Sequence, residues 1–236
     1  MPPHDVHVWY RPTDALDATA LAAAVSVLSD EERARYHRFR FARDGRDYVA
    51  AHALLRATLS RGNDRAPADW RFDRTANGKP FLIGPGESRI SFSLSHATGM
   101  VACVVSADAD VGVDVERIDR NVDVVNVAGR FFSQAEAAQL ALLDPNRQRD
   151  RFFDLWTLKE AFAKALGVGV AESLTSVTFT ADRDDEIRLD ASHVETDLWQ
   201  FGLFAPGPKH RLAVAARRPA STPHAQLIFQ SAGHAE

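Results

Sequence analysis

The six residues Val111-Gly112-Val113-Asp114-Val115-Glu116 constrain the fold of this chain more than any other stretch. In an extended strand alternate side chains share a face, so three valines point one way and Gly112, Asp114 and Glu116 point the other. The valine face demands a hydrophobic layer. At a rise of roughly 3.3 Å per residue the two carboxylates lie about 6.6 Å apart along the strand, close enough to reach one hard cation between them. Gly112, on the same face, is expected to leave room for a ligand. Taken alone, the pattern also describes a half-buried strand whose outer face is simply acidic and wet.

Around this strand the chain divides into two stretches with a similar order of elements. Before it come a short strand over Val6 to Tyr10, a helix within Leu16 to Leu28, and the helix start Ser29-Asp30-Glu31-Glu32. A longer helix runs from about Asp44 to Arg61, where Tyr48, Leu54, Leu55 and Leu59 recur at helical intervals and Gly62-Asn63 supplies the stop. Ile90 to Leu94 alternates as a half-buried strand does, and Met100 to Val105 reads as a buried one. After it come helices to about Leu166 and strands at Ser176 to Thr180 and Leu212 to Ala216. The expectation is an α+β fold of two similar subdomains, 1–108 and 109–218, joined near Ser106 to Asp110. The remainder, 219–236, is polar apart from Leu227-Ile228-Phe229 and is expected to dock loosely or be disordered.

The helix ending at Leu166 carries a second constellation. Leu155, Leu158, Phe162 and Leu166 make an apolar stripe, and Trp156, Glu160 and Lys164 line the stripe beside it. The plainer alternative is a surface Glu-Lys pair worth about 0.2 to 0.5 kcal/mol. Cations suited to phosphate form a third group. Arg33, Arg35, Arg38, Arg40, Arg43 and Arg46 crowd one segment; Arg74 and Lys79 flank the turn Thr75-Ala76-Asn77-Gly78; His96 follows Ser93-Leu94-Ser95.

Composition removes several other classes. A net charge of −4 argues against a nucleic-acid-coating role, and the single cysteine, Cys103, excludes an intrachain disulfide. No run approaches the roughly 20 apolar residues that span a bilayer, and the first residues lack a leader pattern, so a cytoplasmic setting with no membrane partner is expected. There is no Walker loop, dinucleotide fingerprint, His-Glu-x-x-His or Gly-x-Ser-x-Gly motif. Carboxylates for a hard metal and cations for phosphates remain, a combination that describes phosphoryl-transfer chemistry on a polyphosphate ester.

Four motifs in this order, Gly78-Lys79-Pro80, Phe92-Ser93-Leu94-Ser95-His96, Val111 to Glu116, and Phe153-x-x-Trp156-Thr157-x-Lys159-Glu160-Ala161-Phe162-x-Lys164, resemble the surfactin-synthetase-activating (Sfp-type) 4′-phosphopantetheinyl transferases. The resemblance covers roughly residues 5 to 217. It implies two α+β subdomains related by a pseudo-twofold axis, with coenzyme A and metal in the cleft between them. It further implies Mg²⁺ on Asp114, Glu116 and Glu160, with Lys164 catalytic beside Glu160. Coenzyme A would meet Arg35, Arg74, Gly78, Lys79, Pro80, Ser95, His96 and Asp114. The implied reaction is attack by a serine of an acyl or peptidyl carrier protein on the β-phosphorus, releasing 3′,5′-ADP. Glu160 would remove the serine proton, directly or by way of a water, Lys164 would steady the leaving phosphate, and His96 would contact the 3′-phosphate. A monomer is implied. Two other readings use the same residues: a Mg²⁺-dependent nucleotide phosphohydrolase, and a non-catalytic coenzyme-A-binding or carrier-docking module.

Overall fold

A computed structural model describes residues 5–61, 64–84, 89–168, 174–181, 187–220 and 225–232. The helix stop at Gly62-Asn63 lies outside the described residues. In the N-terminal half, β1 (Val6–Pro12) leads to α1 (Ala18–Ser26), α2 (Asp30–Tyr36) and α3 (Ala42–Ser60). Next come the short hairpin β2 (Phe72–Arg74) and β3 (Pro80–Leu82), then β4 (Ser91–Ala97) and β5 (Met100–Ser106). In the C-terminal half, β6 (Asp110–Arg117) precedes α4 (Val124–Phe131), α5 (Gln134–Ala141) and α6 (Pro145–Leu166). β7 (Thr178–Ala181), β8 (Ile187–Asp190), β9 (Trp199–Gly207), β10 (His210–Arg217) and β11 (Leu227–Ser231) follow.

Local chemistry sets the helix ends. Ser29 and Ser133 each form a reciprocal capping box, with Glu32 and Glu136 three residues on. Asp144 caps α6 ahead of Pro145, and Gly167 ends that helix in the left-handed conformation at φ 70°.

Two sheets carry the fold, β11-β1-β5-β4 and β6-β10-β9. Their apolar faces meet: Val6, Val8, Met100, Ala102 and Val104 pack with Val111, Val113, Val115, Leu212, Val214 and Ala216. On the far face of the first sheet, Leu54, Leu55 and Leu59 of α3 cover Val101, Cys103 and Val105. On the far face of the second, α6 covers Ala213 and Ala215 with Phe162 and its neighbours. Each half is thus a sheet with one long helix on its outer side, the α+β arrangement expected from the order of elements.

Between the sheets β4 lies against β6, and among the described residues the two share no backbone ladder. Serine hydroxyls serve instead. Ser91 Oγ accepts from the Val111 amide at 3.2 Å, and Ser95 Oγ from the Val115 amide at 3.3 Å. The alternating polar residues of β4 therefore face this seam rather than water, with Ser93 and Ser95 buried.

Two expectations need correction. The space opposite Gly112 is filled by α6, not by a ligand: a Cβ there would lie 2.0 Å from the Ala161 carbonyl oxygen and 2.5 Å from the Ala165 amide nitrogen. Glycine is needed for the backbones of β6 and α6 to touch. The polar tail is also more than a loose end, because β11 pairs in parallel with β1 from Val6–Leu227 to Tyr10–Ser231. β1 offers an open edge, and Leu227 and Phe229 pack over Gly202 and against the core between the sheets, so three apolar residues suffice to seat the strand.

Lys159, one residue before Glu160, is fully buried and pairs with the equally buried Glu136 at 2.8 Å. Its ammonium also donates to the Leu174 and Val177 carbonyls, both at 2.6 Å, while Glu136 accepts from the Phe179 amide at 2.7 Å. Both charges are compensated, and α5, α6 and β7 are tied together.

Gly112→Ala is expected to destabilise the protein by at least about 3 kcal/mol in urea unfolding, since neither neighbouring backbone can yield. A loss below about 1 kcal/mol would mean that β6 and α6 can separate without consequence.

Candidate active site

Because α6 lies directly on the acidic face of β6, side chains of strand and helix meet. Asp114, buried at 5% exposure, accepts from Lys164 Nζ at 2.8 Å and from Ser95 Oγ at 2.9 Å, both on Oδ1. Ser95 Oγ in turn accepts from Lys164 Nζ at 3.0 Å as well as from the Val115 amide, so its one proton and two lone pairs are all engaged. Glu116 accepts from the Trp156 indole at 3.0 Å on Oε1 and faces Arg120 at 3.3 Å on Oε2. The Trp156, Glu160, Lys164 stripe therefore points at the strand acids rather than at water.

The acids are crowded. Burial first, and the Asp114 charge second, push the Glu116 carboxyl up to about 7, against the pull of Arg120 and Trp156. Glu160 is raised to about 7 for the same two reasons, with Lys164 opposing and Glu116 adding to the rise. Asp114 Oδ2 is buried with no hydrogen-bond partner. A clustered, hard-oxygen donor set with an orphaned buried oxygen could hold a divalent cation. Among the described residues, no three His, Cys, Asp or Glu side chains yet stand in a metal-holding arrangement.

A cleft of about 1080 Å³ opens beside this cluster, lined from the first half by Arg35, Arg38, Arg74, Gly78, Lys79 and Pro80 and from the second by Lys164 and Val168. A smaller cavity of about 350 Å³ shares Arg35, Tyr48, His52, Arg74 and Lys164 with it and reaches Ser95, His96, Asp114 and Glu116. Nearly all the residues expected at the site thus meet in one continuous depression. Glu160 lines neither cavity; it sits half-buried one helical turn before Lys164.

The cations are held differently from one another. Arg35 stacks over the Tyr48 ring at 5.4 Å, and Arg74 donates to the Gly78 carbonyl at 3.0 Å, closing the turn in which Gly78 takes φ 82°. Lys79 reaches across to donate to the Ala165 carbonyl at 2.7 Å, so it bolts the first half to the end of α6, and burial lowers its pKa. Desolvation within the cleft lowers the pKa of His96; Asp47 opposes that fall while Lys164, His52 and Arg35 add to it.

One cluster in the cleft was not anticipated. Glu32 accepts from the fully buried Arg56 at 2.8 Å and meets His52 Nδ1 at 2.9 Å, in addition to capping α2. Burial works against its charge, yet His52, the Ser29 amide and Arg56 hold its carboxyl down to about 2. Sequence revealed the capping role, because that contact is three residues long. The partners 20 and 24 residues away carry no local signal.

Comparison with known proteins gives this geometry its context. The profile of the 4′-phosphopantetheinyl transferase superfamily matches residues 110–215, and that of the N-terminal part of a 4′-phosphopantetheinyl transferase matches residues 12–108. The chain is 34% identical to the 4′-phosphopantetheinyl transferase HetI of Nostoc sp., over 71% of each protein. It is 32% identical to the 4′-phosphopantetheinyl transferase psf-1 of Bacillus pumilus, over 85% of this chain and 84% of the relative. The chain belongs to the 4′-phosphopantetheinyl transferase family. It is also 27% identical to the 4′-phosphopantetheinyl transferase Sfp of Bacillus subtilis, over 83% of this chain and 84% of that one. The protein is thus an Sfp-type transferase, which sets aside the phosphohydrolase and the non-catalytic module.

In the metal-free transferase the raised carboxyls make the fold favour their neutral forms. Their contribution to stability is therefore fully present below the ordinary carboxylate pKa of 4.5 and is lost as pH rises through about 7. Glu160→Gln removes one such charge. Urea unfolding with a chelator present should show the variant more stable than wild type at pH 8, with the gap closing by pH 5. A gap independent of pH would contradict the crowding.

Proposed function

We propose that the donor is coenzyme A, that the acceptor is a serine hydroxyl of an acyl or peptidyl carrier protein domain, and that Mg²⁺ is the metal. The observation that carries this reading is the Asp114, Ser95 and Lys164 cluster at the edge of a cleft walled by arginines and Lys79 of the first half and by Lys164 of the second. A diphosphate ester entering there meets cations on several sides. The same reading has a monomer working in the cytoplasm, without nucleic acid or membrane as a partner. In its support, the net charge is −4, and among the described residues no helix is long and apolar enough to cross a membrane.

Asp114, Glu116 and Glu160 would hold Mg²⁺, and the orphaned Asp114 Oδ2 gives it a ready oxygen. When bound, the ion neutralises phosphate charge that would repel an incoming oxygen. Arg35, Arg74 and His96 orient the nucleotide end of coenzyme A, with His96 toward the 3′-phosphate. The Gly78-Lys79-Pro80 turn supplies a wall where backbone can approach closely. Ser95, already saturated, acts by keeping Lys164 and Asp114 in register.

Glu160 accepts the serine proton as the new O–P bond forms. The bond from the β-phosphorus to the oxygen of 3′,5′-ADP breaks in the same displacement, and Lys164 donates to the charge that develops on the leaving phosphate. Water in place of the serine would waste the donor, so the acceptor hydroxyl must displace solvent from this end of the cleft.

Intact-mass measurement of several apo carrier proteins, incubated with the enzyme, coenzyme A and Mg²⁺, should show one added phosphopantetheinyl group on at least one of them. Glu160→Gln should lower the rate by two or more orders of magnitude, the usual scale for losing a general base. Asp114→Ala should lose its response to added Mg²⁺. Wild-type turnover by Glu160→Gln would remove that residue from the mechanism, and coenzyme A binding without modification of any carrier would leave the proposed acceptor unsupported.

A further inference from the structure

Arg120 stands where no motif points, just beyond the end of β6, with its guanidinium 3.3 Å from Glu116 Oε2. The other Glu116 oxygen takes the Trp156 indole at 3.0 Å, so both oxygens have partners. Asp114 is meanwhile drawn toward Lys164 and Ser95 through Oδ1. The two strand acids are committed in different directions, and no metal-holding group of three forms among the described residues.

We propose that Arg120 is a built-in counter-ion for the metal site. In the metal-free enzyme it occupies one oxygen of Glu116, and a divalent cation must displace it to bind. The proposal rests on the assignment of Asp114, Glu116 and Glu160 as metal ligands.

The position of Arg120 is constructed, not incidental. Arg149 of α6 donates to the Ile118 carbonyl at 2.8 Å and also to the Arg120 carbonyl. The Ile118 amide donates to the Lys209 carbonyl at 2.9 Å. The backbone of the segment is therefore fastened to both α6 and the β9–β10 turn. Fastened in this way, it directs the arginine back over the strand end, where the guanidinium also sits 5.2 Å from the Phe153 ring.

The asymmetry of the pair decides which partner moves. The Arg120 side chain is 45% exposed and Glu116 only 17%. A displaced guanidinium can turn into solvent, where its charge is hydrated, whereas an unpaired Glu116 would stay in the crowded pocket. A divalent ion brings twice the charge of the arginine and can engage several carboxylates at once, so it wins the competition, but its affinity is reduced by the pair it breaks. Arg120 is thus a positioning residue that acts through Glu116: it keeps the metal-free site from flying apart and tunes the metal concentration the enzyme requires.

Calorimetric titration of Mg²⁺ into metal-free enzyme, with no coenzyme A present, tests this in wild type, Arg120→Gln, Arg120→Lys and Arg117→Gln. Arg120→Gln should bind Mg²⁺ about three- to fivefold more tightly, the equivalent of one modest ion pair. It should also melt at a lower temperature without metal and gain more on adding it. Arg120→Lys keeps the charge and should stay near wild type. Arg117→Gln removes the same charge from the same segment without touching Glu116, and should change Mg²⁺ affinity little. Unchanged or weaker binding by Arg120→Gln overturns the proposal, as does equal tightening by Arg117→Gln, which would reduce the effect to long-range charge. Absence of Mg²⁺ binding in every protein would overturn the metal assignment along with it, whereas normal wild-type binding with no effect at Arg120 overturns the counter-ion alone.

Discussion

The contact between the β6 backbone at Gly112 and the α6 backbone at Ala161 and Ala165 determines where the chemistry sits. Helices pack on sheets through side chains, which hold the two main chains well apart; here one missing Cβ closes that distance. Asp114 and Glu116 leave the strand beside the point of closest approach, so Trp156 and Lys164 reach them without intervening loops. The cluster stands on regular elements on both sides, which hold position more precisely than loops do. The buried Lys159-Glu136 pair fastens the opposite face of the same helix, so α6 is clamped from two directions.

The N-terminal half contributes the wall and the seam. Ser91 and Ser95 occupy the place of a ladder between β4 and β6, so a strand of the first sheet can lie against the site strand of the second without merging with it. Ser95 then serves two structures at once, satisfying the Val115 amide and bridging Lys164 to Asp114. Lys79 makes a second tie between the halves at the far end of α6. The cleft walls are joined by side chains at both places, so the opening between them is held at a set width.

Much of this was legible locally. The alternation at Val111 to Glu116, the stripe of Trp156, Glu160 and Lys164, and the helix start at Ser29 are periodic or short-range signals, and each survives in the fold. The misses share a cause. Gly112 looked like room for a ligand because a sequence shows a missing side chain but not the helix that fills the gap. The serines of β4 read only as the polar side of a half-buried strand, because a seam between two sheets has the same period as a solvent boundary. Arg120 and the Glu32, His52 and Arg56 cluster owe their positions to contacts with other elements, which have no footprint in nearby spacing. Lys159 sits inside a recognisable motif yet belongs to the core, since helical phase separates neighbouring residues by about 100° and sends consecutive charges to different environments.

The parallel pairing of β11 with β1 also bears on how the protein comes into being. β1, α3, β4 and β5 are all translated before β11 and can begin a first layer, but one edge of that layer is supplied by Leu227 to Ser231. Between the two events the whole second sheet must form and present the surface near Gly202 on which Leu227 and Phe229 rest. Birth order and folding order therefore diverge: the half made first is the last to be finished, and its open strand edge stays available for wrong partners until β11 has been made.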